Sequence, residues 1–219
     1  MTVHLSSLYS CTAIKNLQRK KCLITGAASG IGKATALAAA REKAELFLTD
    51  INEASLNSVA EECESLGARV SSVKAFDISN YEAVKAWAIE IHGTHTSLDV
   101  LMNIAGISIW GTVENLTHEQ WRRTVDINLM GPIHIIENFI PPMIAAKNGG
   151  HLVNVSSAAG LFGLRWHAAY SASKFGLRGI SEVLLIGAYE MLAAVINSTG
   201  LGLEPEAEMT LAGAKIHPA

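Results

Sequence analysis

Tyr170 and Lys174 lie four residues apart and are the side chains in this sequence best placed to move a proton. The surrounding pattern predicts a helix over about 170–185, and side chains at positions i and i+4 share one helix face. A free phenol has a pKa of about 10, and a nearby ammonium favours the phenolate form. Such a pair can accept a proton from a hydroxyl or return it to a carbonyl oxygen. By itself, however, a Tyr/Lys pair is more often a solvated surface pair.

A glycine-rich segment near the start of the chain has the composition of a phosphate-binding turn. Thr25-Gly-Ala-Ala-Ser-Gly-Ile-Gly32 lies between an apolar strand and an alanine-rich helix predicted over 33–43. Gly26 allows a tight turn, Gly30 lets backbone approach a pyrophosphate, and Gly32 permits close packing of helix on strand. The helix N-terminus adds unpaired N–H groups and the positive end of a dipole. The segment alone fits a turn without a ligand about equally well.

An acidic residue follows this turn at the distance expected for contact with a ribose. Asp50 ends the next predicted strand, 24 residues after Gly26. Its carboxylate can accept hydrogen bonds from both hydroxyls of an adenosine ribose and would repel a 2′-phosphate. The next residue, Ile51, brings no positive charge that could rescue such a phosphate. These residues favour NAD over NADP, although Asp50 considered alone fits a helix N-cap or a turn residue better.

The elements that must position these side chains alternate between strand and helix from about residue 21 onward. The predicted helices include a long one over about 117–146, with Pro132 as a kink and Pro141-Pro142 as a stop. Strands joined by helices imply right-handed crossovers and a parallel sheet. We therefore predict an α/β fold with one doubly wound, Rossmann-type domain over residues 20–219, preceded by an N-terminal extension over residues 1–19. The strands are predicted at 22–25, 45–50, 70–76, 98–103 and 151–155, with a sixth at 192–196.

Composition argues against several other classes of protein. The 219 residues are 49% hydrophobic and 17% charged, with a net charge of −3, which suits one globular domain and gives no basic surface for nucleic acid. No apolar run is long enough to span a bilayer, and the N-terminus lacks the pattern of a secretory signal, so a cytoplasmic protein is expected. Cys11, Cys22 and Cys63 and the 8 histidines match no ligand spacing, so no metal is expected.

Together, these motifs resemble the short-chain dehydrogenase/reductase family. The resemblance rests on the glycine-rich turn, Asn103-Ile-Ala-Gly106, Asn128, Ser157 and Tyr170-x-x-x-Lys174, which occur in family order between about residues 20 and 184. It implies an oxidoreductase that transfers a hydride between a nicotinamide cofactor and a secondary alcohol or ketone. It also implies a small-molecule substrate and a homodimer or homotetramer.

The resemblance implies a role for each matching side chain. Tyr170 would be the proton donor and acceptor, and Ser157, which precedes it by 13 residues, would hydrogen-bond the substrate oxygen. Lys174 would also hold the nicotinamide ribose, and Asn128 would help place a water that links Lys174 to solvent. The adjacent Ser156 is expected to be structural. Contacts with the cofactor are expected from Gly26, Ser29, Gly30, Ile31, Gly32, Asp50, Ile51, Asp77, Ile78, Asn103, Ala105, Gly106, Tyr170 and Lys174.

Apolar residues near the expected site hint at the substrate. Leu161-Phe-Gly-Leu164 favours a hydrophobic alcohol or ketone, but apolar walls are a general feature of pockets. Two roles, the border of a substrate pocket and ordinary packing, are equally open for Trp166, His167 and residues 107–110.

The sequence after Val183 departs from the family pattern. Thr199-Gly200 stands where a Pro-Gly turn is expected, the tail from Glu204 onward matches no family feature, and the chain ends earlier than most relatives. A natural truncation or rearrangement, a frameshifted or decaying gene, and a chain that is part of a longer molecule all fit. We therefore expect an atypical or truncated C-terminal part. The alternative to an active enzyme is a non-catalytic dinucleotide-binding member with an incomplete substrate pocket.

Overall fold

A computed structural model of the chain describes residues 16–187 and 191–197, with side chains up to residue 184. Its centre is a sheet of six strands, all parallel, in the order β3-β2-β1-β4-β5-β6, where β1 to β6 are Lys21–Thr25, Glu45–Asp50, Arg69–Ala75, Val100–Asn103, Gly150–Ser156 and Met191–Asn197. The predicted sixth strand is present as β6. Cys11, most of the N-terminal extension, Thr199-Gly200 and the tail after residue 200 lie outside the described residues.

Helices connect the strands on both faces of the sheet. They are α1 to α6, at Gly30–Arg41, Glu53–Ser65, Tyr81–His92, His118–Val125, Gly131–Ala145 and Ala168–Gly187. The chain crosses from one half of the sheet to the other between β3 and β4, so β1 and β4 flank the point where the winding direction reverses. This is the doubly wound Rossmann-type arrangement, and the predicted fold class is confirmed.

The largest differences from the predicted helix boundaries occur in α1 and α5. Helix α1 begins at Gly30, three residues before the predicted start. The predicted stop at Pro141-Pro142 is wrong, because α5 continues through both prolines to Ala145. Pro142 has no N–H for the carbonyl of Asn138, four residues earlier, but Nε2 of His92 lies 3.2 Å from that oxygen. His92 on α3 therefore replaces the hydrogen-bond partner that the proline removes, and α5 tolerates Pro142.

The sequence predicts a kink at Pro132 in the long helix over about 117–146. The structure does interrupt this helix, and the interruption is a π-helical stretch just before the proline. Asp126–Met130 separates α4 from α5, and Pro132 lies in the first turn of α5, where a missing N–H is tolerated. The proline also leaves the carbonyl of Asn128, four residues earlier, without its α-helical donor. The interruption thus falls on a residue that the sequence assigned to the site.

The core has one apolar cluster on each face of the sheet. One packs β1 and β2 against α1 and α2, and the other packs the opposite side chains of the same strands against α3 and α5. Cys22 and Cys63 are fully buried in the first cluster, so their interpretation as small core residues is confirmed. Burial raises the pKa of the Cys22 thiol to about 12 and that of Cys63 to about 11.

All six parallel strands end at the same edge of the sheet, which therefore collects the residues that follow them. Thr25, Asp50, Asn103 and Ser156 are the last residues of their strands. The glycine-rich turn, the loop after β4 and the segment after β5 all leave from this edge. Within the described part of the chain, no helix is long and apolar enough to cross a membrane.

Candidate active site

Lys174 is held under the site by the strand that precedes it. Its side chain is buried, with 4% exposure, and its Nζ donates a hydrogen bond to the carbonyl of Val155 in β5 at 2.9 Å. Desolvation lowers the pKa of Lys174 to about 8. The same Nζ lies 5.6 Å from the centre of the Tyr170 ring, one turn earlier on α6. The structure therefore brings the predicted pair together, with the ammonium inside and the half-buried phenol above it.

The two adjacent serines at the end of β5 have different surroundings. The hydroxyl of Ser156 donates to the carbonyl of Lys174 at 3.2 Å and is fully enclosed, which fits the structural role expected for it. A Cβ on Gly160 would lie 2.6 Å from that hydroxyl, so only glycine fits there. The hydroxyl of Ser157 instead accepts a hydrogen bond from the N–H of Ala159 at 3.2 Å. Its hydrogen remains available for a substrate oxygen.

Asn128 uses its side chain to clamp the loop that follows β4. Its Oδ1 accepts from the N–H of Ile107 at 2.8 Å and its Nδ2 donates to the Ile107 carbonyl at 2.7 Å. The same Nδ2 lies 3.3 Å from Oγ of Ser173, which donates to the carbonyl of Tyr170 at 2.7 Å. The fully buried amide thus ties the loop after β4 to the helix that carries Tyr170.

The loop after β4 approaches both Asn128 and Lys174. A Cβ on Gly106 would lie 3.1 Å from Oδ1 of Asn128 and 3.6 Å from Nζ of Lys174. Ala105 is held by Thr25, whose Oγ1 accepts from the N–H groups of Ile104 at 3.0 Å and Ala105 at 3.2 Å. These two bonds join the ends of β1 and β4, the strands that flank the point where the winding direction reverses.

The glycines of the first turn meet three different requirements. Gly26 has φ +70°, and a Cβ there would lie 2.8 Å from Cα of Ala105. A Cβ on Gly32 would overlap the carbonyl of Gly26. Gly32 therefore packs the helix against the turn, whereas the sequence suggested packing against the strand. Gly30 has φ +51°, with no atom within 4 Å of its Cβ direction. Open space therefore borders the N-terminus of α1, where Ser29 and the 53% exposed Ile31 also lie.

Asp50 turns back toward this glycine-rich turn. Its Oδ2 accepts from the N–H of Ala28 at 3.0 Å and its Oδ1 accepts from the N–H of Asn52 at 3.0 Å. The N-cap of α2 is Asn52, whose side chain accepts from Ser55, so Asp50 is not the cap. Its carboxylate is held at the mouth of the turn, and the neighbouring Ile51 is 63% exposed.

Asp77 and Ile78 form a second short turn, after β3. The Oδ1 of Asp77 accepts from both the N–H and the hydroxyl of Ser79, at 2.9 and 2.7 Å. Ile78 is buried against Gly131, where an added Cβ would lie 2.6 Å from Cδ1 of the isoleucine. Nδ1 of His134 lies 3.1 Å from the Ile78 carbonyl and fixes the turn to α5.

Asn103 belongs to a buried polar chain that the sequence analysis missed. Its Nδ2 donates to Oδ1 of Asn154 in β5 at 2.9 Å, and the Nδ2 of Asn154 donates to the hydroxyl of Ser181 in α6 at 2.9 Å. All three side chains are fully enclosed. The side chain of Asn103 therefore ties β4 to β5 and, through Asn154, to α6. A polar residue inside the apolar segment Leu152-Val-Asn-Val155 is the signal that could have identified Asn154.

Two of the residues for which the sequence allowed either a pocket border or ordinary packing, Trp110 and His167, form a series of ring contacts that ends at Tyr170. The rings of Trp110 and His167 are 4.7 Å apart, and the His167 ring is 6.0 Å from that of Tyr170. Trp166, by contrast, packs under the guanidinium of Arg165 at 4.7 Å. Among the residues described, no group of three or more His, Cys, Asp or Glu side chains could hold a metal ion.

Comparison with known proteins identifies the class to which this fold and site belong. The model of the short chain dehydrogenase family matches residues 20–205, beyond the limit of about residue 184 seen from the motifs. FabG, a 3-oxoacyl-[acyl-carrier-protein] reductase of Thermotoga maritima, is 36% identical over 166 residues, which are 76% of this chain and 67% of that protein. SadH, a putative oxidoreductase of Mycobacterium tuberculosis, is 34% identical over 181 residues, or 83% of this chain and 64% of SadH. The chain thus spans about two thirds of these relatives.

Solved structures give the same result. A metagenomic short-chain oxidoreductase in complex with NADP is 32% identical, with a TM-score of 0.77 and 86% of both chains covered. A short chain dehydrogenase/reductase of Burkholderia phymatum in complex with NAD is 28% identical, with a TM-score of 0.78 over 83% of this chain and 66% of that one. The chain belongs to the short-chain dehydrogenase/reductase family, a family of nicotinamide-dependent oxidoreductases. The resemblance read from the motifs is confirmed.

Proposed function

We propose that this protein interconverts a secondary alcohol and a ketone, with Tyr170 moving the proton. The observation that carries the proposal is the buried Lys174 ammonium beneath the Tyr170 ring, with Ser157 at the end of the neighbouring strand. These are the three positions that the family resemblance assigns to the reaction. A nicotinamide bound beside them would supply the hydride acceptor or donor.

Each of the three side chains has a separate task in this proposal. Tyr170 would accept the hydroxyl proton of an alcohol, or donate a proton to the oxygen of a ketone. The positive charge of Lys174 favours the phenolate form, and its bond to Val155 fixes it beneath the ring. Ser157 would donate its hydroxyl hydrogen to the substrate oxygen and stabilise the charge that develops there.

Asn128 supports this arrangement in a way that differs from the sequence expectation. Its amide is already bonded to Ile107 and Ser173, so its side chain positions the loop and the helix. Pro132 leaves its backbone carbonyl without an α-helical donor, which makes that oxygen the better candidate to hold a water linked to Lys174. Asn128→Ala would therefore weaken the loop contact and keep the carbonyl.

The residues of the glycine-rich turn fit a dinucleotide. The N-terminus of α1 faces the open space beside Gly30, and N–H groups at a helix N-terminus attract a pyrophosphate. Asp50 is fixed by Ala28 and Asn52 with its carboxylate at the mouth of the turn. A carboxylate accepts from ribose hydroxyls and repels a 2′-phosphate, which supports NAD as the preferred cofactor over NADP. Ser29, Ile31, Ile51, Asp77 and Ile78 would complete the cofactor contacts.

The cofactor preference is tested by fluorescence titration of NADH and NADPH against the wild type and Asp50→Ala. We expect the wild type to bind NADH more tightly than NADPH. In the variant the ratio of the two dissociation constants should fall by roughly tenfold, because about one charge-assisted hydrogen bond to the ribose is lost. Glu90→Gln, on the far end of α3, is the matched control for loss of an exposed carboxylate. Tighter binding of NADPH by the wild type would refute the assignment of Asp50.

The reaction is tested by following NADH oxidation with a panel of ketones and NAD reduction with the corresponding alcohols. Turnover in either direction supports the proposal. Binding of NADH without turnover of any substrate would favour the alternative, a dinucleotide-binding member without catalysis. We further propose that the substrate is a small molecule and that the chain assembles with itself as a homodimer or homotetramer, which light scattering after size-exclusion chromatography would measure.

A further inference from the structure

Large aromatic side chains are exposed on the two segments that follow β4 and β5. Trp110, in the loop after β4, is 68% exposed, and Phe162 and Trp166, in the segment after β5, are 56% and 50% exposed. Trp87, in contrast, is fully buried between Phe76 and Phe139. Exposed aromatic rings in the loops that follow the strands of such a sheet are typical of a binding site and not of a core.

The two segments that carry these rings are joined to each other. The N–H of Gly111 donates to the carbonyl of Trp166 at 3.0 Å, so the loop after β4 and the segment after β5 form one surface. Trp166 has φ +67°, a conformation that bulky side chains rarely adopt. Residues held in such a conformation cluster at ligand sites, because surrounding contacts must enforce it.

Trp110, His167 and Tyr170 form a row of three rings on this surface. The Trp110 and His167 rings are 4.7 Å apart at an interplanar angle of 52°, and the His167 and Tyr170 rings are 6.0 Å apart. Lys174 continues the row on the buried side of Tyr170. A substrate whose oxygen reaches Tyr170 would therefore place its adjoining group against His167 and Trp110.

Each ring of this wall has one ring nitrogen engaged in a hydrogen bond within its own segment. The Nε1–H of Trp110 donates to the hydroxyl of Ser108 at 2.9 Å. Nδ1 of His167 lies 2.8 Å from the carbonyl of Arg165 and donates to it, because a carbonyl oxygen can only accept. The orientation of each ring is thus fixed by its own loop, and what Trp110 offers to solvent is mainly its aromatic surface. Such surfaces bind other aromatic rings better than aliphatic groups of equal size.

We propose that Trp110 and His167 are the wall of the substrate site that stacks on an aromatic ring, and that the substrate is an aryl-substituted secondary alcohol or ketone. The proposal deepens the proposed function and rests on it for the position of the reacting oxygen. It places the aryl ring on the reacting carbon itself or one carbon further away, because the wall begins next to Tyr170.

The test uses two ketones of nearly the same size, acetophenone and cyclohexyl methyl ketone. Their dissociation constants for the full chain are measured by ligand-observed NMR, with the wild type, Trp110→Ala, Trp110→Phe and His167→Phe. We expect the wild type to bind acetophenone about three- to tenfold more tightly than the cyclohexyl compound. Trp110→Ala should remove the preference, while Trp110→Phe and His167→Phe should keep most of it because a flat ring remains. Ile89→Ala, at an exposed apolar position on α3, is the control.

Equal binding of the two ketones by the wild type would overturn the proposal. A preference for acetophenone that survives Trp110→Ala would also overturn it. If that variant in addition melts several degrees below the wild type, Trp110 is a packing residue. The binding measurement does not depend on turnover. If acetophenone is preferred but no ketone oxidises NADH, the stacking wall stands and the proposed reaction fails. If ketones turn over without an aryl preference, the reaction stands and the wall fails.

Discussion

The two sides of Tyr170 are built in opposite ways. On the inner side, buried polar groups of α6 are bonded to β5: Nζ of Lys174 to Val155, the carbonyl of Lys174 to Ser156, and Ser181 to Asn154. On the outer side, the loops after β4 and β5 leave half or more of Trp110, Phe162 and Trp166 exposed. The inner side fixes the position of the proton-transfer group, and the outer side leaves room for a ligand.

This difference predicts different consequences for substitutions on the two sides. Buried hydrogen bonds are costly to break because the partner left behind loses water as well as its bond. Exposed aromatic side chains can be shortened at little cost to folding. Changes on the inner side should therefore affect rate and stability, and changes on the outer side should affect the choice of substrate.

Lys174→Met has the largest expected effect among the inner residues. Without the ammonium, kcat should fall by about 10²–10⁴-fold, the range that a group assisting acid–base catalysis contributes. Stopped-flow measurement of hydride transfer at saturating NADH checks the rate. A decrease of less than tenfold would contradict the role assigned to Lys174.

The same variant should change how stability depends on pH. In the folded protein the pKa of Lys174 is lowered to about 8 from the ordinary value of 10.5, so its charged form is disfavoured by burial. The cost is fully present below pH 8 and is relieved as pH rises toward 10.5. Relative to Lys174→Met, the wild type should therefore gain roughly 2–3 kcal/mol between pH 7 and 10.5. Urea unfolding at both pH values measures this difference, and a constant difference would contradict it.

Ser157→Ala and Ser156→Ala form a matched pair at the end of β5. Ser157→Ala should lower kcat by about 10²-fold, because a donor to the developing charge is lost, with little change in stability. Ser156→Ala should instead lower the free energy of unfolding by about 1 kcal/mol, because its bond to the Lys174 carbonyl is lost. Thermal unfolding and steady-state kinetics of both variants separate the two roles. The opposite pattern would mean that the catalytic serine has been misassigned.

Asn154→Ala tests the buried chain that joins β4, β5 and α6. It leaves Nδ2 of Asn103 without its acceptor and removes the bond that the Ser181 hydroxyl accepts, although that hydroxyl still donates to the carbonyl of Leu177. We therefore expect a loss of about 2–3 kcal/mol in the free energy of unfolding. A double-mutant cycle with Ser181→Ala should show coupling between the two positions. Additive effects would show that the contact between β5 and α6 does not depend on this bond.

Local patterns in the sequence predicted the parts of the site that depend on spacing. Tyr170 and Lys174 share a helix face because they are four residues apart, and the strand–helix alternation specified the parallel sheet. The pairs Asn154–Ser181 and Trp110–His167 could not be predicted, because their residues lie 27 and 57 positions apart and meet only in the folded chain. The stop predicted at Pro141-Pro142 was wrong for the same reason, since its compensation comes from His92 on another helix.

The most direct test of the proposed function is hydride transfer by Tyr170→Phe. With Tyr81→Phe as the control for loss of an exposed tyrosine hydroxyl, single-turnover oxidation of NADH by a ketone substrate is followed beside NADH binding by fluorescence. We predict that Tyr170→Phe binds NADH within about tenfold of the wild-type affinity, the effect of one lost hydrogen bond. At saturating NADH it should transfer hydride at least about 10²-fold more slowly, while Tyr81→Phe is unchanged in both measurements. Hydride transfer by Tyr170→Phe at the wild-type rate would contradict the assignment of Tyr170 as the proton-transfer group.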